Sequence, residues 1–323
     1  MDAERSVSAQ DAADWDHAAS LFDGAGSLRL TARECDLRYW FANVPIRTLR
    51  GNVVGYAPEV TTPDFIRRAG PLHDALKQEV AFRALAEERA ARAIGYLVAC
   101  APDSTTVEFY ATQLLDETRH AMIFRNHLRN LGVREKDVPA VIEQLAGGDR
   151  QTILAPIEDL GLPIVRDQRD FVGGVVLLTV LVEGFLAPSF ELSERKWRPL
   201  DPVMADMEKG AGIDEVRHLA VGTSLVREHL HDHPQDTGRL LELVQRGMAM
   251  FLTLPIYEQL GRWEALYQQG LADRADVVGD YEIWPGRRLI DTTPRERIQK
   301  TSEITSAVHR TRVTDMGLGA ALG

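Results

Sequence analysis

Cysteine is almost absent from this chain: only Cys35 and Cys100 occur among 323 residues, far apart and outside any CxxC. That excludes a disulfide framework and a thiolate zinc site, and leaves both as small core residues. No uninterrupted apolar run approaches the roughly 20 residues that cross a bilayer, and the first residues, MDAERSVSAQDAADWDHAAS, hold no apolar stretch of a signal peptide. The expectation is a cytoplasmic protein without a membrane partner. Positive charge is also short, with a formal net charge of −11. Nucleic-acid binding needs an excess of Lys and Arg to displace counterions from phosphates, so no nucleic-acid partner is expected and a small-molecule substrate fits better. The phosphate-binding GxGxxG and P-loop patterns and the GxSxG of hydrolases are missing too.

What is present is ordinary globular composition, 45% hydrophobic and 26% charged, with helix formers predominating and no strand-like alternation. An all-α fold follows. The stretch 1–20 reads as a disordered tail and 21–323 as one helical domain, with a core over about 62–232 and C-terminal helices over about 238–310. Residues 29 to 60 follow no clean period and read as irregular structure around a short helix. Long helices are predicted from Thr62-Pro63-Asp64 to about Ala101 with a break at Gly70-Pro71, from Ser104 to Leu131, from Asp170 onward, and over Pro202 to His231. A short helix is expected at 136–148, a connector at 152–168, one helix at 238–269, and a last one starting at the capping box Thr293-Pro294-Arg295-Glu296.

An internal repeat carries the functional information. A helical Glu87 is followed, in the next long helix, by Glu117 within Asp116-Glu117-Thr118-Arg119-His120. Glu183 is followed, at nearly the same separation, by Glu215 within Asp214-Glu215-Val216-Arg217-His218. The same helix pair thus occurs twice, the sequence form of a four-helix bundle made by duplication.

Glu and His three apart on a helix share a face, so both can reach one metal ion. Two such pairs, with one further Glu from each partner helix, give four carboxylates and two imidazoles: Glu87, Glu117, His120, Glu183, Glu215 and His218. Four carboxylates balance two divalent cations, and an oxygen-rich set with some imidazole suits iron or manganese better than zinc.

A lone Glu-x-x-His is most often a solvated pair; its recurrence at matched distance from a second Glu is what argues for metal. Glu183 argues most strongly, since nothing else is charged between Asp170 and it, and an acid in an apolar stretch needs a partner. In the first helix Glu87 and Glu88 are adjacent. Glu87 falls within the apolar face marked by Val80, Ala84, Ala91, Ile94 and Val98, and is preferred over Glu88, which falls beside Arg92 on the outside. Asp116 and Asp214 are placed to accept the second ring N–H of a metal-bound imidazole, with Arg119 and Arg217 neutralising them; the competing role for these four is a set of surface salt bridges. His127, two turns beyond His120, lies too far along the helix for the same centre.

These motifs resemble those of the bacterial di-iron oxygenases, whose soluble methane and toluene monooxygenase hydroxylases carry the same Asp-Glu-x-Arg-His signature. The resemblance spans the stretch from Glu87 to His218. It implies a ferritin-like bundle with flanking helices, two iron ions, O2 as co-substrate, an external electron donor and a redox partner, in a homodimer. Ala187, one turn after Glu183, stands where those hydroxylases usually place a threonine, which turns the comparison away from hydrocarbon hydroxylation. In size the chain is more similar to the stand-alone di-iron N-oxygenases of natural-product pathways. With Ala211 where arylamine N-oxygenases carry an extra His, it looks closest to the azoxy-forming branch associated with valanimycin biosynthesis. The implied activity is oxygenation of an amine, hydroxylamine or hydrazine nitrogen. C–H hydroxylation or desaturation, a storage protein without turnover, and a manganese or radical enzyme using Tyr110 are the rivals. The expected pocket uses Ala84, Ala91, Val176, Val180, Leu186 and Ala187, with Arg83 set to meet a substrate carboxylate.

Overall fold

The computed structural model describes residues 28–44 and 53–323. The tail expected over 1–20 lies outside them. A short helix, α1 (Leu37–Asn43), is capped by the Asp36 side chain on the Tyr39 N–H. After a single turn at Asp64–Arg67 the first long helix, α2 (Pro71–Cys100), opens with proline at its first position. Asp103 caps α3 (Ser104–Asn130) by accepting from the Thr106 N–H, and Gly132 at φ +89° ends it in the left-handed conformation. Two shorter helices, α4 (Val138–Asp149) and α5 (Ala155–Leu162), follow, so most of the segment expected as a connector is helical.

Asp170 caps α6, which runs from Phe171 to Trp197 with a π-helical stretch at Leu177–Glu183 and a bend at Ala187-Pro188. By length and composition α6 could cross a membrane, contrary to the sequence expectation that no such span exists, but 72% of its apolar window is buried inside the protein. It is the core helix of the bundle. Then come α7 (Pro202–Asp232), α8 (Thr237–Phe251) and α9 (Ile256–Leu271). The single helix expected at 238–269 is therefore two, because Pro255 cannot continue the hydrogen-bond ladder of α8 and instead starts the next element. A small antiparallel pair, β1 (Glu282–Trp284) with β2 (Arg287–Arg288), precedes α10 (Pro294–Asp315), which begins with the expected Thr293/Glu296 capping box. This hairpin is too short to change the all-α class.

The long helices close into a ring in which α2 packs on α3, α3 on α7, α7 on α6 and α6 on α2. The repeated pairs α2/α3 and α6/α7 thereby face each other, and the motif-bearing helices α3 and α7 are neighbours. Outside the ring, α9 packs along α2, α8 against the π-helical part of α6, and α10 against α9 and both ends of the α6 bend.

The π stretch is held by close approach on two sides. A Cβ on Gly222 of α7 would sit 2.0 Å from Thr179 Oγ1, and one on Gly247 of α8 would sit 1.7 Å from a Leu181 methyl. Both glycines admit side chains of the widened turn that ends at Glu183. A seven-residue π segment has poorer hydrogen-bond geometry than an α-helix and persists where packing over-determines it. Gly222→Ala and Gly247→Ala should each lower unfolding free energy by roughly 1–3 kcal/mol, as overpacked core positions do. Urea denaturation measures this, and stability unchanged in both variants would show that neither glycine holds the segment.

Candidate metal centre

All six sequence-predicted ligands come together at mid-bundle. Two overlapping groups, Glu87/Glu117/His120/Glu215 and Glu117/Glu183/Glu215/His218, each have ligand atoms within 4.8 Å of one another, and every member is buried. Glu117 and Glu215 belong to both groups, in the position of carboxylates shared between two ions. His120 Nδ1 lies 3.6 Å from Glu87 and 3.5 Å from Glu117, while His218 Nδ1 lies 3.2 Å from Glu117 and 3.7 Å from Glu215. Glu87 points inward because it falls on the buried face of α2. Glu88, one residue on, is half exposed and pairs with Arg92 at 2.8 Å.

The polar groups around the ligands are crossed between the two halves of the repeat. Asp214 of α7 approaches the Nε2 of His120 on α3 at 3.2 Å, and Asp116 of α3 approaches the Nε2 of His218 on α7 at 3.4 Å. Arg119 likewise donates to Asp214, and Arg217 to Asp116. None of the four is a surface group; Asp116 and Asp214 are at most 1% exposed. Each carboxylate faces the outer nitrogen of the opposite helix's imidazole and so turns both Nδ1 atoms toward the cluster.

Two further residues support this arrangement. Trp40 of α1 donates from its indole to Asp116 at 2.8 Å, and Gln113 of α3 donates to Glu183 at 2.5 Å. Gln113 was legible in principle, one turn before Glu117 on the same face. Trp40 lies in an aperiodic stretch with no sequence signal for its role.

The donor set fits two divalent cations. Glu117 Oε1, Glu183 Oε2, Glu215 Oε2 and the Nδ1 atoms of His120 and His218 are all buried without a hydrogen-bond partner among the described residues. Orphaned atoms this costly do not converge on one point without something to bind. Without cations the cluster holds protons instead. Burial, then the negative charges of Glu215 and Glu87, push the Glu117 carboxyl up to about 8, and burial followed by Glu215 pushes Glu183 well above the usual range. Burial works against charging His120 and His218, but Asp214 and Asp116 lead the carboxylates that outweigh it, and both imidazoles rise well above their ordinary value. Burial works against charging Glu87, but the adjacent Glu117 and His120 side chains outweigh it and hold the carboxyl down.

Beside the cluster is a cavity of about 430 Å³ whose walls include Glu87, Glu117, Glu183 and Glu215. Of the residues expected to form the pocket, Arg83, Leu186 and Ala187 line it. Ala84, Ala91, Val176 and Val180 are not among its lining residues; Ala84 packs in one hydrophobic cluster, and Val176 and Val180 in the other. The bulky apolar part of the wall includes Phe82, Phe185, Phe190, Phe251, Leu254 and Trp263. Sequence reasoning confined to the ligand helices could not place α8, α9 and α10 over the site. Arg83 is not a surface residue either; its guanidinium lies 2.7 Å from Glu208 and 3.5 Å from Glu79, over the Phe190 ring, so its charge is already matched inside the protein.

His127 is buried against Asp201 at 2.7 Å, away from the cluster. Tyr110 is buried and its hydroxyl has no partner among the described residues; burial and then Glu183 keep its proton on.

No family model matches this chain, and no curated protein matches it. Among solved structures it is similar to a protein with aldehyde deformylating oxidase activity from Synechococcus, at 18% identity and a TM-score of 0.52, covering 77% of this chain and 92% of that one. That likeness shows the fold, an all-α ferritin-like bundle.

Three outcomes test the centre. Iron-reconstituted protein should contain two ions per chain by elemental analysis. Glu87→Ala should lower that content far more than Glu88→Ala, and the reverse order would contradict the inward placement of Glu87. The third concerns pH. Glu117, Glu183, His120 and His218 all have raised values, so the metal-free fold binds more protons than the unfolded chain, and its stability falls as pH rises from 6 towards 9. Thermal unfolding should show this fall without metal and a much flatter profile with it, because bound cations replace those protons. Identical profiles would count against the centre.

Proposed function

We propose that this protein is an O2-activating non-heme di-iron oxygenase, and that its substrate is a small amine, hydroxylamine or hydrazine oxidised at nitrogen. The observation that carries the first part is the coincidence of a carboxylate-rich, two-histidine cluster with an apolar cavity into which four of its carboxylates open. A storage protein needs the cluster but has no use for a chamber walled by aromatic rings.

Glu87, Glu117, His120, Glu183, Glu215 and His218 would hold the iron, and bound iron would supply the electron transfer to O2 that the protein's own side chains cannot perform. The chain's residues do the rest. Asp116 and Asp214 fix both imidazoles, Arg119 and Arg217 fix those acids, and Gln113 holds one oxygen of Glu183. Preorganised in this way, the ligand set need not rearrange as charge changes at the centre. Phe82, Phe185, Phe190 and Phe251 keep bulk water from the cavity and leave an apolar substrate beside the ligands. Inserting one oxygen atom while releasing the other as water consumes two electrons and two protons, which an external donor must provide; a redox partner, and a homodimer as in the resembling enzymes, belong to this reading.

The preference for nitrogen rests on Ala187, which lines the cavity one turn after Glu183 and offers no hydroxyl there, together with the motif likeness to stand-alone N-oxygenases. Oxidation at a nitrogen lone pair does not require breaking a strong C–H bond. The fold likeness to a protein with aldehyde deformylating oxidase activity favours a second reading, an aldehyde substrate in the same cavity.

Isotopically labelled O2, supplied to the reduced iron-loaded protein with panels of amines, hydroxylamines, hydrazines and aldehydes, separates these readings. Label on nitrogen is expected. Label on carbon, or in formate released from an aldehyde, would replace the nitrogen chemistry, and O2 consumption yielding only ferric mineral would replace the enzyme.

A further inference from the structure

The wall of the cavity contributed by α10 departs from the rest. A helix normally turns its apolar stripe inward, yet here Thr301, Ser302, Thr305 and His309 lie along the cavity side of α10, spaced as one face of a helix. The deepest of them is His309. It is 4% exposed, and its Nε2 is buried with no hydrogen-bond partner among the described residues. Its ring is fixed in an aromatic stack, 4.4 Å from Phe185, which in turn lies parallel to Phe251 at 4.6 Å. Phe185 is two positions from Glu183, so this stack ties the imidazole to the same turn that carries a ligand.

A buried polar atom without a partner, on a side chain that lines the chamber and is held among aromatic rings, costs stability unless a ligand or water satisfies it. Ligand pockets are built in this way, with apolar walls for affinity and a few placed polar atoms for orientation. Burial, reinforced by neighbouring Arg310, holds the imidazole down to about 4, so the ring is neutral near pH 7. It then has one donor and one acceptor nitrogen, which suits an uncharged partner.

We infer that His309 is a specificity-determining residue, whose Nε2 hydrogen-bonds an uncharged hydroxyl or amino group on an otherwise apolar substrate and thereby orients it in the cavity. This rests on the reading of the cavity as the substrate chamber of the metal centre, and the stripe of hydroxyls on α10 extends the same polar side toward the mouth. The substrate class narrows accordingly to amphiphilic molecules with a polar group on one side, rather than plain hydrocarbons or long-chain acids.

The experiment measures calorimetric binding of 4-propylaniline, 4-propylphenol and propylbenzene to iron-loaded protein, with iron content determined in parallel. The native chain should prefer the aniline and the phenol over propylbenzene by roughly tenfold, the scale of one buried hydrogen bond. His309→Phe, which keeps the aromatic stack, should bind propylbenzene undiminished and lose the preference, while His309→Gln should keep part of it. Should the Phe variant not fold, His309→Leu serves as the apolar replacement. A preference unchanged in the apolar variant, or no preference in the native chain, overturns the inference. So does tighter binding of 4-propylbenzoate that is lost in Arg310→Ala, since it would assign the polar contact to Arg310. Failure of the iron to load, with the His309 preference intact, would instead count against the metal reading alone.

Discussion

Four carboxylates gathered in the interior of a helical bundle form the constraint on which the rest of the structure depends. Like charges at this distance, in a region of low polarisability, repel strongly enough that they must bind cations or take up protons. Burial first, and then that repulsion, displaces Glu117 and Glu183 upward in the metal-free fold. Buried Arg119 and Arg217 pair with Asp116 and Asp214 rather than with the ligand carboxylates, whose nearest cationic partners in the metal-free fold are the imidazoles of His120 and His218.

The crossed pairing explains why the repeat must be complete. Because the aspartate of one half faces the histidine of the other, neither α2/α3 nor α6/α7 alone supplies an oriented imidazole. The two halves are fastened by buried ion pairs, whose desolvation is costly and whose loss on one side would leave an unmatched charge in the core. Their value here is in fixing geometry: the Nδ1 atoms of both histidines can face only the cluster.

Around this rigid centre the variable part is the cavity. Its walls are shared between the ligand helices α2 and α6 and the elements α8, α9 and α10, which supply no ligands, so helices outside the ligand set also take part in choosing what lies beside the metal. The π-helical turn of α6 joins the two, since Leu177–Glu183 ends on a ligand and Phe185 and Leu186, just beyond it, enter the cavity wall. Widened turns in long helices recur at functional sites because they re-aim side chains without ending the helix.

The sequence by itself determined the bundle and which acids and histidines gather inside it. Glu-x-x-His spacing is fixed by the helical repeat, and an isolated Glu183 in an apolar stretch has few ways to be tolerated, so local chemistry and periodicity sufficed to pick out six residues that the fold brings into one buried cluster. Even the choice between Glu87 and Glu88 could be read from the phase of one helix. Which aspartate serves which histidine, the part played by Trp40, the partners of Arg83 and the cavity walls were decided only in three dimensions. Ala84, Val176 and Val180 share a ligand helix with Glu87 or Glu183 yet do not line the cavity, while Phe251, Trp263 and His309, distant in sequence and without a motif, do so because α8 to α10 fold back over α2 and α6. Helical phase reports which face of a helix is buried, but not which neighbour buries it, and at this site the neighbour decides whether a buried side chain meets a core or a cavity.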